Sequence, residues 1–423
     1  MSVDLNLMKE VILENQETVP RKELIERGEK FEPRANYVLI GLRRAGKSYT
    51  LFEHIQRLIK TGEAKPQDIL YVNFEDDRMY GFEVTDFDRL LHAYHELFGS
   101  DRRPRIFLDE MQNIAGWEKF ARRLADSDYR VFLTGSNARM LSAEIHTTLG
   151  ARYIAREIRP FSFEEFLRFR GIAVSPATVY GPRSSDVKRL CREYLEWGGL
   201  APVFSLTEKR EWLQSMRENV LLRDIASRNA IRSTAELEFL LRKLAESVMQ
   251  PVTGKRLMHI MESAHMTIAR NTLTKWLGAM GDAFLIESIS NYRDNLSQRM
   301  MSRKHYFADT GILRCMLSDP LSKLLENLVA LELIRRFGRE AVFFYRNGVE
   351  VDFFVPEVGL AVQASVSLSS SATFDRETQA LVAFSSAAKV NERLIVTLDD
   401  EQDLNVQGSP IRVVPLWKWL LGA

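Results

Sequence analysis

Cysteine is scarce in this chain, which has Cys191 and Cys315 and no others among its 423 residues. The two stand far apart without the paired spacing of a zinc site. They are also too few for a disulfide framework, so both are expected as core filler in a reducing cytosol. Long apolar runs are missing as well: no stretch approaches the ~18 consecutive apolar residues of a membrane span. The opening MSVDLNLMKEVILENQ carries acids where a secretory leader needs basic residues and an unbroken apolar segment. No membrane partner is expected, and the cytoplasm is the expected location. Nor is there an excess of one charge, because 58 Lys and Arg against 57 Asp and Glu leave a formal charge of +1. Attraction to nucleic acid or an acidic substrate must therefore be argued locally. Internal repeats and low-complexity tracts are absent, and Ser367 to Ser371 is expected as a flexible loop.

What is present is a globular composition, 45% hydrophobic and 27% charged, at a length that predicts two to four domains. Residues 1–34 form a charged helical leader broken at Pro20 and Pro33. Across 35–158 the pattern alternates: strand 37–40, amphipathic helix 47–60, strand 69–74, helix 87–98, then strands 105–108 and 130–134. Short apolar runs separated by helices predict an α/β core with a parallel sheet covered on both faces. Residues 159–234 read as almost wholly helical, a lid. Residues 235–318 give short helices followed by a hairpin, LIESISNYRD and RKHYFAD, which is the order of a winged helix-turn-helix. Residues 319–423 form a further α/β unit, with helix 321–337, strands 342–346, 349–355 and 360–366, helix 374–386, and strands 393–397 and 411–415.

The chemistry is concentrated near the start. GLRRAGKS, Gly41 to Ser48, has the P-loop spacing, and an apolar strand enters it while a helical pattern leaves it. Gly41 and Gly46 permit a turn that aims backbone N–H groups at phosphate oxygens, and the following helix adds its positive end. The candidate ATP-binding segment is Gly41, Leu42, Arg43, Arg44, Ala45, Gly46, Lys47, Ser48 and Tyr49. Lys47 is expected on the β- and γ-phosphates and the Ser48 hydroxyl on Mg²⁺. Arg43 and Arg44 can each meet phosphate, an adjoining domain or solvent.

RIFLDE, Arg105 to Glu110, ends an apolar strand in two carboxylates and reads as a Walker B segment. Asp109 is expected to hold the metal's water shell and Glu110 to act as general base toward the attacking water. The strand VFLTGSN ends in Ser136 and Asn137, which serve either as γ-phosphate sensors or as an ordinary turn. Arg152, Arg156 and Arg223 are the candidate sources of transition-state charge, which a second copy of the chain can also supply.

Several further blocks then fall in order: NFED (Asn73–Asp76), IFLDEMQNIAGWE (Ile106–Glu118), FLTGSNARMLSAEI (Phe132–Ile145), RPFSFEEFL (Arg159–Leu167), GGL (Gly198–Leu200), LLRDIA (Leu221–Ala226), YFADTGI (Tyr306–Ile312), LLENLVALEL (Leu324–Leu333) and VEVDFFV (Val349–Val355). Together with the P-loop they resemble, nearly end to end, a prokaryotic group of AAA-type ATPases. In that group the ATPase is joined to a carboxy-terminal domain of uncharacterised function with a restriction-endonuclease-like core. The resemblance implies an ATPase core, a helical extension, a winged helix and a nuclease-like end domain. One departure is Ala151, where the family commonly has glycine before the arginine.

A nuclease of that kind needs a helix acid, a strand aspartate and an acid-X-lysine triplet around Mg²⁺. Here those positions carry Glu326, Asp352 and Gln363-Ala364-Ser365, so a metal-binding charge and the lysine are both missing, and no nuclease activity is expected. Lys389 or Arg376 would have to substitute. Glu326 then reads as a helix-face residue and Asp352 as a partner of Arg346. In the winged helix, Arg270, Asn271 and Lys275 are candidates for DNA contact, with Arg299, Arg303 and Lys304 as a basic wing. A protein partner or a homo-oligomer is an equal alternative.

Overall fold

The apolar runs of the first third of the chain become a five-stranded parallel sheet in the computed structural model, which describes residues 3–138, 148–299 and 302–422. Across the sheet the order is β2 (Ile69–Asn73), β3 (Arg105–Asp109), β4 (Arg130–Gly135), β1 (Asn36–Ile40) and β5 (Tyr153–Glu157). All five residues of β1 are buried, as a strand covered on both faces must be. Helices α1 (Leu5–Thr18), α2 (Lys47–Lys60), α3 (Phe87–Phe98) and α4 (Trp117–Asp126) accompany the sheet. The inward face of α2, Leu51, Phe52, Ile55 and Leu58, packs in one cluster with Tyr37, Phe107 and Phe132 of the strands. Phe107 and Phe132 stack across β3 and β4 with centroids 4.9 Å apart. Each such fully buried side chain contributes roughly 1.5–3 kcal/mol.

The leader is part of this core. Asp4 starts α1 by accepting the N–H groups of Asn6 (2.9 Å) and Leu7 (3.3 Å). Along the helix, Asn15 and Gln16 donate to the carbonyls of Tyr71 (3.2 Å) and Ile69 (2.7 Å). β2 is an edge strand, so α1 satisfies groups that an open edge would leave for another chain. Two elements go beyond those read from the sequence. β5 is half-exposed at the other edge and lacks an apolar run, whereas α4 has a helical stripe in Trp117, Phe120, Ala121 and Leu124.

The chain divides into two compact units, residues 1–159 with 282–284, and residues 160–281 with 285–423. Apart from Arg159 and residues 282–284, the segments expected at 159–234, 235–318 and 319–423 thus fall within the second unit. It opens with α5 (Phe163–Phe169), α6 (Ser184–Trp197) and α7 (Lys209–Asn219). RPFSFEEFL encodes a capping box at α5: Ser162 N–H donates to Glu165 (2.6 Å) and Glu165 N–H to Ser162 Oγ (3.2 Å). Next come α8 (Thr234–Glu246), β6 (Val252–Thr253), α9 (Gly254–Ser263), α10 (Arg270–Asp282), β7 (Ile286–Asn291) and β8 (Ser302–Phe307).

The remainder is α11 (Leu321–Phe337), β9 (Phe343–Asn347), β10 (Val349–Val355), β11 (Leu360–Ser365), α12 (Ser371–Phe384), β12 (Glu392–Thr397), β13 (Gln402–Val406) and β14 (Ser409–Pro415). One nine-stranded sheet runs β13-β14-β12-β11-β10-β9-β7-β8-β6. The hairpin β7–β8 joins the C-terminal strands through parallel pairing of Ser290 with Phe343 and Asn291 with Phe344. That long-range pairing is invisible to local pattern.

Two of the resemblance blocks, GGL and YFADTGI, meet at Asp309. Its carboxylate accepts the N–H groups of Gly199 (2.7 Å), Gly311 (2.9 Å) and Ile312 (3.2 Å). Burial pushes its pKa up to about 6, although those N–H bonds pull the other way. Among the described residues no helix is long and apolar enough to cross a membrane.

Candidate functional site

Parallel pairing brings the carboxyl ends of all five strands of the first sheet to one edge, where ligands of open α/β sheets are held. Leu39 pairs with Thr134 of β4, and Leu108 of β3 pairs with Leu133, so Asp109 comes level with Thr134. β4 therefore lies between the P-loop strand and the acidic strand, and the three ends face a common edge.

Gly41 is required by space and by conformation. Its φ is 145°, and a Cβ there would lie 2.1 Å from the carbonyl oxygen of Ile158. After it, Leu42 and Ala45 are buried and anchor the loop, while Gly46, with φ 100°, leads into α2. Lys47 is only 4% exposed, and its ammonium donates to the carbonyls of Gly41 (3.1 Å) and Leu42 (3.2 Å). Ser48 is half-buried in the first turn of α2. Tyr49 is exposed and its ring packs edge-on against Phe52. Arg43 forms an ion pair with Glu75 at 3.0 Å, and Arg44 is exposed with φ 66°.

Arg27 braces the same loop, donating to the carbonyls of Ala45 (2.9 Å) and Arg159 (2.8 Å). The backbone N–H groups of Arg27 and Gly28 both end on Glu53 of α2, at 3.0 Å each. Nothing in the sequence singles Arg27 out, because its partners are carbonyls brought together only by the fold.

Asp109 is fully buried and accepts hydrogen bonds from the hydroxyls of Tyr71 (2.8 Å) and Thr134. Thr134 in turn accepts the N–H of Glu110 at 2.9 Å. Glu110 holds φ 58°, a left-handed conformation that costs a non-glycine residue on the order of 1–2 kcal/mol. Its carboxylate takes a hydrogen bond from Gln112, whose amide also reaches Ser136 Oγ at 3.4 Å. Burial raises the Glu110 pKa and Lys47 opposes this, while Asp109 and Glu75 add to the rise. A carboxylate with a raised pKa is a stronger base than a solvated one. Asn137 is half-buried, one residue beyond the buried Ser136.

The donor set fits a magnesium–nucleotide complex rather than a metal held by protein alone. Among the described residues no group of three or more His, Cys, Asp or Glu side chains is arranged to hold an ion. Mg²⁺ is commonly held by one or two carboxylates together with substrate phosphates. Asp109 and Ser48 are the residues that could supply that partial set, beside a loop whose crowding at Gly41 excludes a side chain there.

Of the three candidate arginines, Arg156 is near the carboxyl end of β5, paired in register with Leu39, and Arg152 precedes that strand. Arg152 is bonded to Asp126 and to the carbonyls of Leu149 and Gly150, Arg156 faces Glu29 at 3.9 Å, and Arg223 is exposed in the second unit. Ala151 takes φ 57°, so the turn forms with a residue other than glycine at that position. Residues 139–145 of the block FLTGSNARMLSAEI lie outside the described residues.

The second unit corrects three expectations. Lys304, read as part of a basic wing, has 0% exposure, and its ammonium lies 3.3 Å from Glu326, 3.1 Å from Glu350 and 3.2 Å from Asp352. Asp352 is thus the partner of Lys304, and Arg346 reaches Glu350 instead, at 3.7 Å. Glu326 is buried, not a helix-face residue, and also accepts from Tyr306 at 2.8 Å. The cause is alternation along β8, where Lys304 and Tyr306 share the face turned toward α11. Burial works against the charge on Lys304, but the three acids outweigh it and raise its pKa. Burial and Asp352 also raise the pKa of Glu326, to about 7, as one ammonium cannot balance three carboxylates. Gln363 sits opposite Asp352 and accepts its N–H (2.8 Å), while its amide donates to the Glu350 carbonyl (3.0 Å). Of the proposed substitutes, Arg376 is paired with Glu377 and Lys389 is exposed. Arg270, Asn271, Lys275 and Arg303 are exposed as expected, and Arg299 stacks on Phe343.

Residues 33–167 match the family model described as an AAA domain, and residues 188–323 match one described as a domain of unknown function, DUF8612. The uncharacterised protein MJ1544 of Methanocaldococcus jannaschii is 30% identical over 443 aligned residues, covering 98% of this chain and 95% of its own. An uncharacterised protein of Haemophilus influenzae is 30% identical over 75% of this chain and 78% of its own. Among solved structures, the Walker-type ATPase paby2304 of Pyrococcus abyssi is 13% identical with a TM-score of 0.39, over 74% of this chain and 95% of that one. A likeness that distant carries no argument about this chain. None of these matches supports a restriction-endonuclease-like end domain; what they support is the AAA-type P-loop domain.

Proposed function

This chain belongs to the family of the Methanocaldococcus jannaschii protein just described and carries an AAA domain over residues 33–167, and from that premise we propose that it binds and hydrolyses ATP at the edge formed by the P-loop, Asp109 and Glu110. The observation that carries the reading is the common edge itself: a loop whose Gly41 has no room for a Cβ, a buried lysine, and two buried carboxylates at the end of β3, one strand removed from the P-loop strand.

On nucleotide binding, the backbone N–H groups of the loop turn to the phosphates, and Lys47 exchanges the carbonyls of Gly41 and Leu42 for β- and γ-phosphate oxygens. Ser48 and Asp109 would hold Mg²⁺, which supplies charge neutralisation on the phosphates when bound. Tyr71 and Thr134 fix the Asp109 carboxylate by hydrogen bonding, so that it needs little rearrangement. Glu110 takes a proton from the attacking water, and its raised basicity and fixed backbone favour that task. Asn137 orients the water or the γ-phosphate. Arg152 is the candidate for transition-state charge, supplied to a neighbouring copy once it leaves Asp126.

The nucleotide state then sets how the second unit engages DNA, through Arg270, Asn271 and Lys275, or a protein partner. Nuclease activity is disfavoured by Lys304, whose ammonium lies among the acids that would have to receive a metal. The deciding test is Glu110→Gln: ATP affinity within about threefold of wild type, with turnover reduced by about a hundredfold or more. Turnover that persists in the variant removes Glu110 from the role of base.

A further inference from the structure

A cavity of about 790 Å³ opens in the second unit among α9, α10, the β7–β8 hairpin and residues 339–343. Sites that enclose small organic molecules typically measure roughly 300–1,000 Å³. The contribution of α10 is a single helical stripe of Arg270, Leu273, Thr274, Leu277, Gly278 and Gly281, which recurs at the spacing of one face. Two of the six are glycines inside a helix, where each costs about 1 kcal/mol relative to alanine. Packing does not require them, because a Cβ on either would find no atom within 4 Å. Their effect is to keep the cavity wide.

The lining has a polarity of its own. Lys255, Arg270, Arg303 and Arg339 contribute positive charge, and Glu340 is the one carboxylate among the lining residues. Arg339 is paired with buried Glu287 at 2.5 Å, so the excess charge rests on Lys255, Arg270 and Arg303. Ser288 Oγ and His305 Nδ1 lie 2.8 Å apart on one wall. Burial, with Arg303 beside it, lowers the His305 pKa to about 4, so at neutral pH the ring is an uncharged hydrogen-bonding group. Leu257, Leu273, Ile286 and Phe343 make the rest of the surface apolar.

We infer that this cavity binds a small organic anion, with an apolar body against Leu257, Leu273 and Phe343 and an acidic group held by Lys255, Arg270 and Arg303. The site is independent of the P-loop. It lies against the helix and hairpin proposed to contact a partner, so its occupant would compete for Arg270 and Arg303.

The test titrates the full chain with 8-anilinonaphthalene-1-sulfonate, an aromatic body carrying one acidic group, by calorimetry and fluorescence. Gly278→Trp fills the cavity from an exposed helix position, and Gly278→Ala removes the glycine without filling it. The expected result is saturable binding of one equivalent that Gly278→Ala retains and that Gly278→Trp and Arg270→Gln each weaken by about tenfold or more. N-phenyl-1-naphthylamine, which lacks the sulfonate, should bind about tenfold more weakly. Equal affinity of wild type and Gly278→Trp overturns the site, and equal affinity for the uncharged analogue overturns the anion. If Gly278→Trp instead abolishes binding of a 20-base-pair duplex and leaves the probe unaffected, the surface is a DNA interface and the small-ligand proposal fails.

Discussion

Each unit of the molecule buries a lysine near carboxylates, and the two lysines are held differently. Lys47 and Lys304 are 4% and 0% exposed, so burial does not distinguish them. Lys47 donates to two neutral carbonyls of its own loop, whereas Lys304 lies within 3.3 Å of three carboxylates. A phosphate offers Lys47 stronger, charge-assisted bonds than the carbonyls it leaves. An incoming anion offers Lys304 less, because leaving would strand the buried carboxylate of Glu326 beside Asp352 and Glu350. The acids differ in the same sense. Asp109 is held by hydroxyl donors, which leave its charge for a cation, whereas Glu326 and Asp352 already have one. At similar depth the two lysines thus differ in their contacts, which include loop carbonyls at Lys47 and three carboxylates at Lys304.

The comparison is most easily broken at Lys304. Lys304→Met should lower the stability of the second unit by about 3–5 kcal/mol, read by chemical denaturation, with ATP affinity within about twofold of wild type. An unchanged unfolding transition would mean that the ammonium is not a lock. Lys47→Ala should do the reverse, raising the dissociation constant for ATP by about a hundredfold or more while the melting curve stays near wild type. Retained binding would mean that Lys47 never leaves its carbonyls.

Asp309 sharpens the contrast, being a carboxylate buried among N–H donors with its pKa pushed up to about 6. The native state binds this proton more tightly than the unfolded chain does. The stability it confers is therefore fully present below pH 3.8, the ordinary value, and is lost as pH rises through about 6. The effect is on the order of 3 kcal/mol, and Asp309→Asn should change its melting temperature less than wild type between pH 4 and pH 7. A slope equal to that of wild type would mean that Asp309 is not the group responsible. The smallest effect belongs to Ala151→Gly, which relieves a φ of 57° and should stabilise the first unit by about 0.5 kcal/mol after the added flexibility of the unfolded chain.

Legibility followed the range of the interaction. The P-loop, the acidic strand end and the alternation of strands and helices were readable, because each depends on spacing within a few residues. Arg27, Tyr71, Thr134 and Gln112 were not, since their partners come from other segments and hydrogen-bond donors of these kinds occur everywhere in a chain. Lys304 was misread for a related reason. A lysine in a hairpin is normally solvated, and only the packing of α11 and β10 around β8 turns its face inward. Asp352 was accordingly given to Arg346, a neighbour in sequence that points to Glu350.

The sequence alone determined the parallel α/β core of the first unit and the residues of its phosphate loop, because local steric and periodic rules suffice for both. Tertiary structure decided which strand lies between the loop and the acids, that the hairpin continues into the C-terminal sheet, and which lysine is held among carboxylates. Those outcomes depend on pairings between residues far apart in the chain, and their energies exist only once the fold has brought the partners together.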